Sequence, residues 1–189
     1  LITNIMFAGV GGQGLILMTR IFSEAAMLDG YDIKSNDVVG LSQRGGMVWG
    51  NVRIGDKVFS PNIPTGEGDI LVAMEPLEGL RWSKDLKDNG VIIRNTKRVY
   101  PTLVQQEKEE YPNEDVENLK TKYNVIEVDA FKKAKDLGKK QVANVILLGI
   151  LAKHLGIKVD TWKKVIKENV PSKAIDMNLE AFDFGYNYK

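Results

Sequence analysis

Cysteine is absent from this chain, and histidine occurs once, at His154. Without thiols there is no disulfide, no thiol nucleophile and no cysteine-ligated iron–sulfur cluster within the chain. A lone imidazole leaves no ordinary zinc site or catalytic triad. Hard chemistry therefore has to come from a cofactor or another subunit. Excess charge of either sign is missing too: 26 basic residues face 25 acidic ones for a net +1, which argues against nucleic-acid and membrane-surface partners. The longest apolar run, around Val142 to Ala152, is too short to span a bilayer. No charged leader or cleavage signal is visible ahead of the first strand, so a cytoplasmic protein is expected. What is present is hydrophobic content, 43% of 189 residues, enough for one full core. Residues 1–189 are accordingly read as a single domain.

The organising stretch is Asn4 to Arg20. A short apolar run, Ile5 to Ala8, meets Gly9, Gly11, Gly12 and Gly14, and an amphipathic helical pattern follows at once. Gly9, Gly11 and Gly14 satisfy the G-x-G-x-x-G spacing, which permits a tight turn, close approach of a ligand to backbone, and close helix–strand packing. Free N–H groups at the helix start, with the helix dipole, favour an anionic or polar group there. Packing alone would also explain the glycines. The helix places Leu15, Met18, Ile21, Phe22, Ala25 and Leu28 on one face. Tyr31 to Lys34 reads as a second strand that completes a βαβ opening. Asp37 lies about where a nucleotide fold puts its ribose-binding acid, and it is equally a good turn former.

Gly40 to Gly46 is the second informative stretch: Ser42, Gln43, Arg44, Gly45 and Gly46 put a hydroxyl, an amide, a guanidinium and two glycines between two strands. Backbone close to a ligand, with a bidentate donor beside it, has this composition; so does a loop whose arginine pairs with a nearby carboxylate. Met47 to Arg53 alternates, and with the turn Ile54 to Lys57 and Val58-Phe59 it predicts a β-hairpin, hence a mixed sheet. Asp69 to Met74 reads as a strand buried on both faces. Glu75-Pro76 ends it and opens a helix, placing Glu75 either at the ligand-binding carboxyl edge of the sheet or in a cap. Val91 to Arg94 gives a strand ending at Asn95-Thr96, and Val125 to Val128 gives another, with Asp129 as a cap. Lysines 132, 133, 135, 139 and 140 read foremost as a solvated face, with docking of an acidic carrier or phosphates as the other use. The helix from Gln141 to Gly156 is apolar nearly all round, and Gly149 inside it requires close packing to offset its cost. Asn144, polar on that buried helix, either caps it or reaches a site. His154, near its end, suits the surface or the helix dipole better than catalysis. Asp160 is expected to cap a helix through Trp162, Val165 and Ile166, and a last helix carries Ile175, Leu179 and Phe182. The fold class is α/β, Rossmann-like: a mainly parallel sheet with a β-hairpin, helices on both faces and a helical C-terminal tail.

Gly9 to Gly14, Ser42 to Gly46, Pro61 with its following loop, Glu75-Pro-Leu-Glu78, Asn95-Thr96, and Asn144 before Leu148-Gly149 together resemble the gamma-type domain of the 2-oxoacid:ferredoxin oxidoreductases. The likeness covers nearly the whole chain and is strongest to the small (beta) subunit type of indolepyruvate ferredoxin oxidoreductase. It implies a subunit that is inactive alone and completes an active site with a large (alpha) subunit. That partner is expected to carry thiamine diphosphate and the iron–sulfur clusters, with ferredoxin as electron acceptor and coenzyme A as acyl acceptor. The resemblance assigns Arg44 and Gln13 to positioning at the interface. It assigns Gly9, Gly11, Gly12, Gly14, Ser42, Gln43, Gly45, Gly46, Glu75, Asn95 and Asn144 to ligand binding, with no metal held by this chain. Where members commonly carry glutamate and a nearby histidine, this chain has Asp37 and Val39. The alternative is a stand-alone NAD-binding oxidoreductase or nucleotide-sensing module, which leaves Ser42 to Gly46 unexplained.

Overall fold

In the computed structural model, which describes residues 1–39 and 46–189, the strands are β1 (Ile2–Val10), β2 (Asp32–Val39), β3 (Met47–Gly55), β4 (Gly68–Ala73), β5 (Leu86–Asn95) and β6 (Asn124–Val128). The helices are α1 (Leu15–Leu28), α2 (Pro76–Trp82), α3 (Thr102–Gln105), α4 (Asn113–Lys122), α5 (Ala130–Asp136), α6 (Ala143–Ala152), α7 (Val159–Asn169) and α8 (Ile175–Tyr186). One sheet takes the order β2-β3-β1-β4-β5-β6. β1, β4, β5 and β6 are parallel, and β3 pairs antiparallel with both β1 and β2. β2 thus runs in the same direction as β1 but lies beyond β3, so the βαβ opening is split by an inserted strand.

The expected hairpin exists with a different partner. β3 returns along β2, with Val39 opposite Val48, and the turn at Ile54 to Lys57 does not lead into another strand. Val58 is instead tethered by its N–H to the Asp32 carboxylate at 2.8 Å, and Phe59 is exposed. Alternation in the central strands sends side chains to two layers. Ile5, Phe7, Ile70, Val72 and Ile93 face the larger core with α1, α5, α6, α7 and α8. Met6, Ala8, Leu71 and Ile92 face the smaller one, with Leu119 and Tyr123. On α1 the buried stripe takes Ala26, whereas Leu28 faces solvent.

Two helix contacts matter for the site. α6 and α8 meet backbone to backbone: a Cβ on Gly149 would lie 2.8 Å from the Tyr186 nitrogen, and one on Gly185 would strike the Ile146 carbonyl. That closeness answers the glycine in a buried helix. α7 is not capped by Asp160. Asp29, at the end of α1, accepts from the Lys158 N–H and from the Thr161 hydroxyl, both at 2.8 Å, tying the start of α7 to α1.

Candidate functional site

The chain changes sheet face between β1 and β4: α1 covers the larger core and α2 the smaller one. Parallel strands diverging in this way open a crevice at their carboxyl ends. A cavity of about 800 Å³ occupies it, floored by Val10, Met74 and Asn95 at the strand ends. The glycine turn forms one wall, and the start of α6, with Asn169 to Pro171 and Asn178, forms the other.

The turn is built from its residues' own geometry. Gly12 and Gly14 have φ of 95° and 79°, a region that side chains seldom occupy. Gln13 folds back: its Oε1 accepts from the Val10 N–H at 2.7 Å and its Nε2 donates to the Met74 carbonyl at 3.4 Å. A Cβ on Gly9 would lie 2.8 Å from that Oε1, which is why β1 ends on glycine. The Gly11 N–H donates to the Gly46 carbonyl at 2.8 Å, so the two glycine-rich stretches meet. Neither a side-chain cap nor an acidic residue occupies the first turn of α1, leaving its N–H groups open.

Asn144 comes from the opposite wall. It is buried and donates to the Gly14 carbonyl at 3.4 Å, and among the described residues its Oδ1 accepts no hydrogen bond. It reaches the turn rather than capping α6, whose start also lacks a side-chain cap and an acidic residue. Asn95 is held by the Ala130 N–H on its Oδ1 at 3.1 Å and by its own donation to Met74.

Of the residues singled out from sequence, Gly11, Gly12, Gln13, Gly14, Asn95 and Asn144 line the cavity; Gly9 and Gly46 support it from behind. Glu75 does not reach it. Its Oε2 accepts from Leu77 and Glu78 N–H groups at 2.6 and 3.1 Å, and its Oε1 from Val99 N–H and Tyr111 O–H at 3.1 and 2.8 Å. The carboxylate is saturated as the buried cap of α2. Ser42, Gln43, Arg44 and Gly45 lie outside the described residues.

Sequence reading gave phosphate docking as the second use of the whole lysine cluster from 132 to 140, and it left out Lys97. Lys139 and Lys140 line the cavity just ahead of α6, and Lys97 faces them from beyond β5, whereas Lys132, Lys133 and Lys135 do not. Nothing in one dimension separates these lysines. No carboxylate lines the cavity among the described residues, and none there pairs with Lys97, Lys139 or Lys140. Nor do three His, Asp or Glu side chains gather there or elsewhere among the described residues as a metal site.

A family model for pyruvate ferredoxin/flavodoxin oxidoreductase matches residues 4–188. The chain belongs to that family. The indolepyruvate oxidoreductase subunit IorB of Archaeoglobus fulgidus is 37% identical over 97% of the chain and 94% of its own length. The crystal structure of the keto/oxoacid ferredoxin oxidoreductase gamma subunit of Geobacter sulfurreducens superposes with a TM-score of 0.72 at 28% identity, covering 97% of this chain and 96% of that one. The 2-oxoglutarate:ferredoxin oxidoreductase of Magnetococcus marinus, solved with 2-oxoglutarate, coenzyme A and succinyl-CoA bound, shares the fold at a TM-score of 0.76 and 19% identity, over 98% of this chain and 30% of that one.

Function as a small subunit of a 2-oxoacid:ferredoxin oxidoreductase follows from that membership. The family domain departs here from a dinucleotide-binding fold at one decisive place. In the latter the strand carrying the ribose acid adjoins β1; here β3 intervenes, setting β2 two strand spacings, about 10 Å, away. Asp37 on β2 accepts instead from the Thr19 hydroxyl at 3.1 Å and does not line the cavity. His154 lies exposed just past α6. No helix is long and apolar enough to cross a membrane among the described residues.

Proposed function

We propose that the chain is the small subunit of an arylpyruvate-oxidising complex of the indolepyruvate type, and that it acts only with a large (alpha) subunit. The observation that carries this reading is the 37% identity to an indolepyruvate oxidoreductase subunit along nearly the full length of both chains. In the proposed complex, thiamine diphosphate and the iron–sulfur clusters belong to the large subunit, since this chain has no cysteine. Electrons pass to ferredoxin and the acyl group passes to coenzyme A. The cavity fits a share in holding coenzyme A: its size suits a ligand of that class, and its lysines and the open start of α6 suit phosphates. Asn144 and the N–H groups at the glycine turn supply neutral hydrogen-bonding groups for the uncharged arm. Gln13 and Asn95, both already bonded within the protein, fix the shape of the turn and floor.

The test is anaerobic purification of the tagged chain from its native host, identification of whatever accompanies it, and assay of thiamine diphosphate and iron. A large cysteine-rich partner carrying both, with coenzyme A-dependent turnover of arylpyruvates faster than of other 2-oxoacids, is the expected result. A chain that emerges alone with bound nucleotide would return the stand-alone nucleotide-binding reading to the front.

A further inference from the structure

Charge is unevenly placed along this chain. Residues 130–140 hold five lysines against one aspartate, so a net +4 sits there while the rest of the chain carries −3 of the total +1. Lys139 and Lys140 line the cavity, whereas Lys132, Lys133 and Lys135 form a ridge on α5 outside it. No carboxylate pairs with these three among the described residues. Asp129, just ahead of them, is engaged as the cap of α5, accepting from the Lys132 N–H at 2.9 Å. Aromatic rings take the place of carboxylates: the Lys133 ammonium lies 4.9 Å from the centroid of Phe184, and that of Lys135 lies 5.0 Å from the centroid of Phe131. A ring orders an ammonium group without neutralising it. The ridge is therefore both charged and held in place, so that an acidic partner meets side chains with less rotamer freedom left to lose.

The surroundings of the ridge decide between a permanent and a passing partner. Permanent interfaces are apolar at their centre and poor in lysine. Ile16 and Met47, 50% and 43% exposed, have the permanent character; Ile16 follows the glycine turn closely and Met47 lies opposite Val10, where the turn begins. The ridge carries no exposed large apolar side chain among the described residues. It also follows β6, an edge strand four spacings, about 19 Å, from β3. Such a surface suits a small contact that forms by electrostatic attraction and releases quickly, the class to which electron-carrier encounters belong.

We infer that the α5 ridge is a docking surface for an acidic electron carrier that visits the assembled complex, with Lys132, Lys133 and Lys135 meeting its carboxylates. The inference rests on the proposed reading in which electrons pass to ferredoxin, and it adds the surface on which that acceptor lands. Attraction of this kind reaches about 8 Å at physiological salt and weakens as salt is added. It therefore raises the rate of encounter more than the strength of the final contact.

The test uses the assembled complex carrying Lys132→Glu with Lys133→Glu, or the milder Lys132→Gln with Lys133→Gln, in the small subunit. Lys164→Glu, at an exposed position on α7, is the control. Initial rates of arylpyruvate oxidation are measured with the host ferredoxin and with methyl viologen, a small dye that has no acidic surface, over a range of salt. The expected result is a fall of about tenfold in kcat/KM for ferredoxin at low salt in the glutamate variant. The glutamine variant falls less, and both converge on wild type at high salt. Rates with methyl viologen, the KM for coenzyme A and the yield of assembled complex hold in every variant, and Lys164→Glu matches wild type throughout. Unchanged kcat/KM and unchanged salt dependence for ferredoxin, with methyl viologen reduction intact, would overturn the docking surface and leave the proposed function standing. Loss of the large subunit from the ridge variants during purification would overturn it as well, by placing the ridge in the permanent interface. A wild-type complex that reduces methyl viologen with arylpyruvates but does not reduce ferredoxin would overturn the ferredoxin reading and this inference with it.

Discussion

Glu78 offers a quantitative test of how this domain manages buried charge. It follows the cap residue on α2, is 3% exposed, and makes one ion pair, with Arg81 at 2.8 Å; its Oε2 is buried with no partner. Burial, opposed by Arg81 and reinforced by the neighbouring Glu75 charge, pushes its carboxyl up from an ordinary 4.5 to about 7. The unfolded chain releases this proton near its ordinary value, whereas the folded chain holds it to about pH 7. Across that window the folded state binds more protons, so stability falls as pH rises, and above pH 7 the full penalty applies. At 1.36 kcal/mol per unit the shift corresponds to about 3 kcal/mol. Glu78→Gln keeps an oxygen for Arg81 and carries no charge. The variant should match wild type near pH 4.5 and exceed it by about 2–3 kcal/mol at pH 8. Urea unfolding of both chains from pH 4.5 to 8.5 measures the difference directly. A variant less stable than wild type at pH 8, or a difference that does not change with pH, would refute the reasoning and mean that the Glu78–Arg81 pair outweighs its desolvation.

Other perturbations follow from the same contacts. Gly185→Ala sets a methyl against the Ile146 carbonyl and should lower stability by about 1–3 kcal/mol, read by thermal melting, with Gly149→Ala doing the same from the other helix. Tyr111→Phe removes the hydroxyl that donates to Glu75 and should cost about 1–2 kcal/mol by denaturant titration. Gly14→Ala places a Cβ at positive φ and 2.6 Å from the Asn144 amide. Its expected result is a lower melting temperature together with weakened coenzyme A binding in the complex, and an unaltered melting temperature would count against the tightness of the turn.

Much of the central sheet could be read in one dimension because its determinants are local. Glycine spacing after an apolar run, proline behind Glu75, and glycine within an apolar helix each act within a few residues. The insertion of β3 between β1 and β2 could not be read in that way. Strand pairing is a contact between distant segments, and β3 alternates equally well against either Val58-Phe59 or β2. The cap of α7 failed for a related reason: Asp160 has the right residue type and spacing, yet Asp29 arrives from α1 to take the bonds. In the site, both roles offered for Glu75 were consistent with its place after β4, and four donors decide for the cap. Lys139 and Lys140 part from their neighbours because the chain turns between α5 and α6, a change that composition does not record.

The inserted strand also sets one wall of the cavity. Because β3 runs against β1, its first residues begin where β1 ends: Met47 lies opposite Val10, and the Gly46 carbonyl already holds the Gly11 N–H. The glycine turn is thereby braced by the start of β3 as well as by the end of β1. A slip of β3 along β1 would carry the wall of the cavity with it, so the register of one antiparallel pair sets the shape of the site.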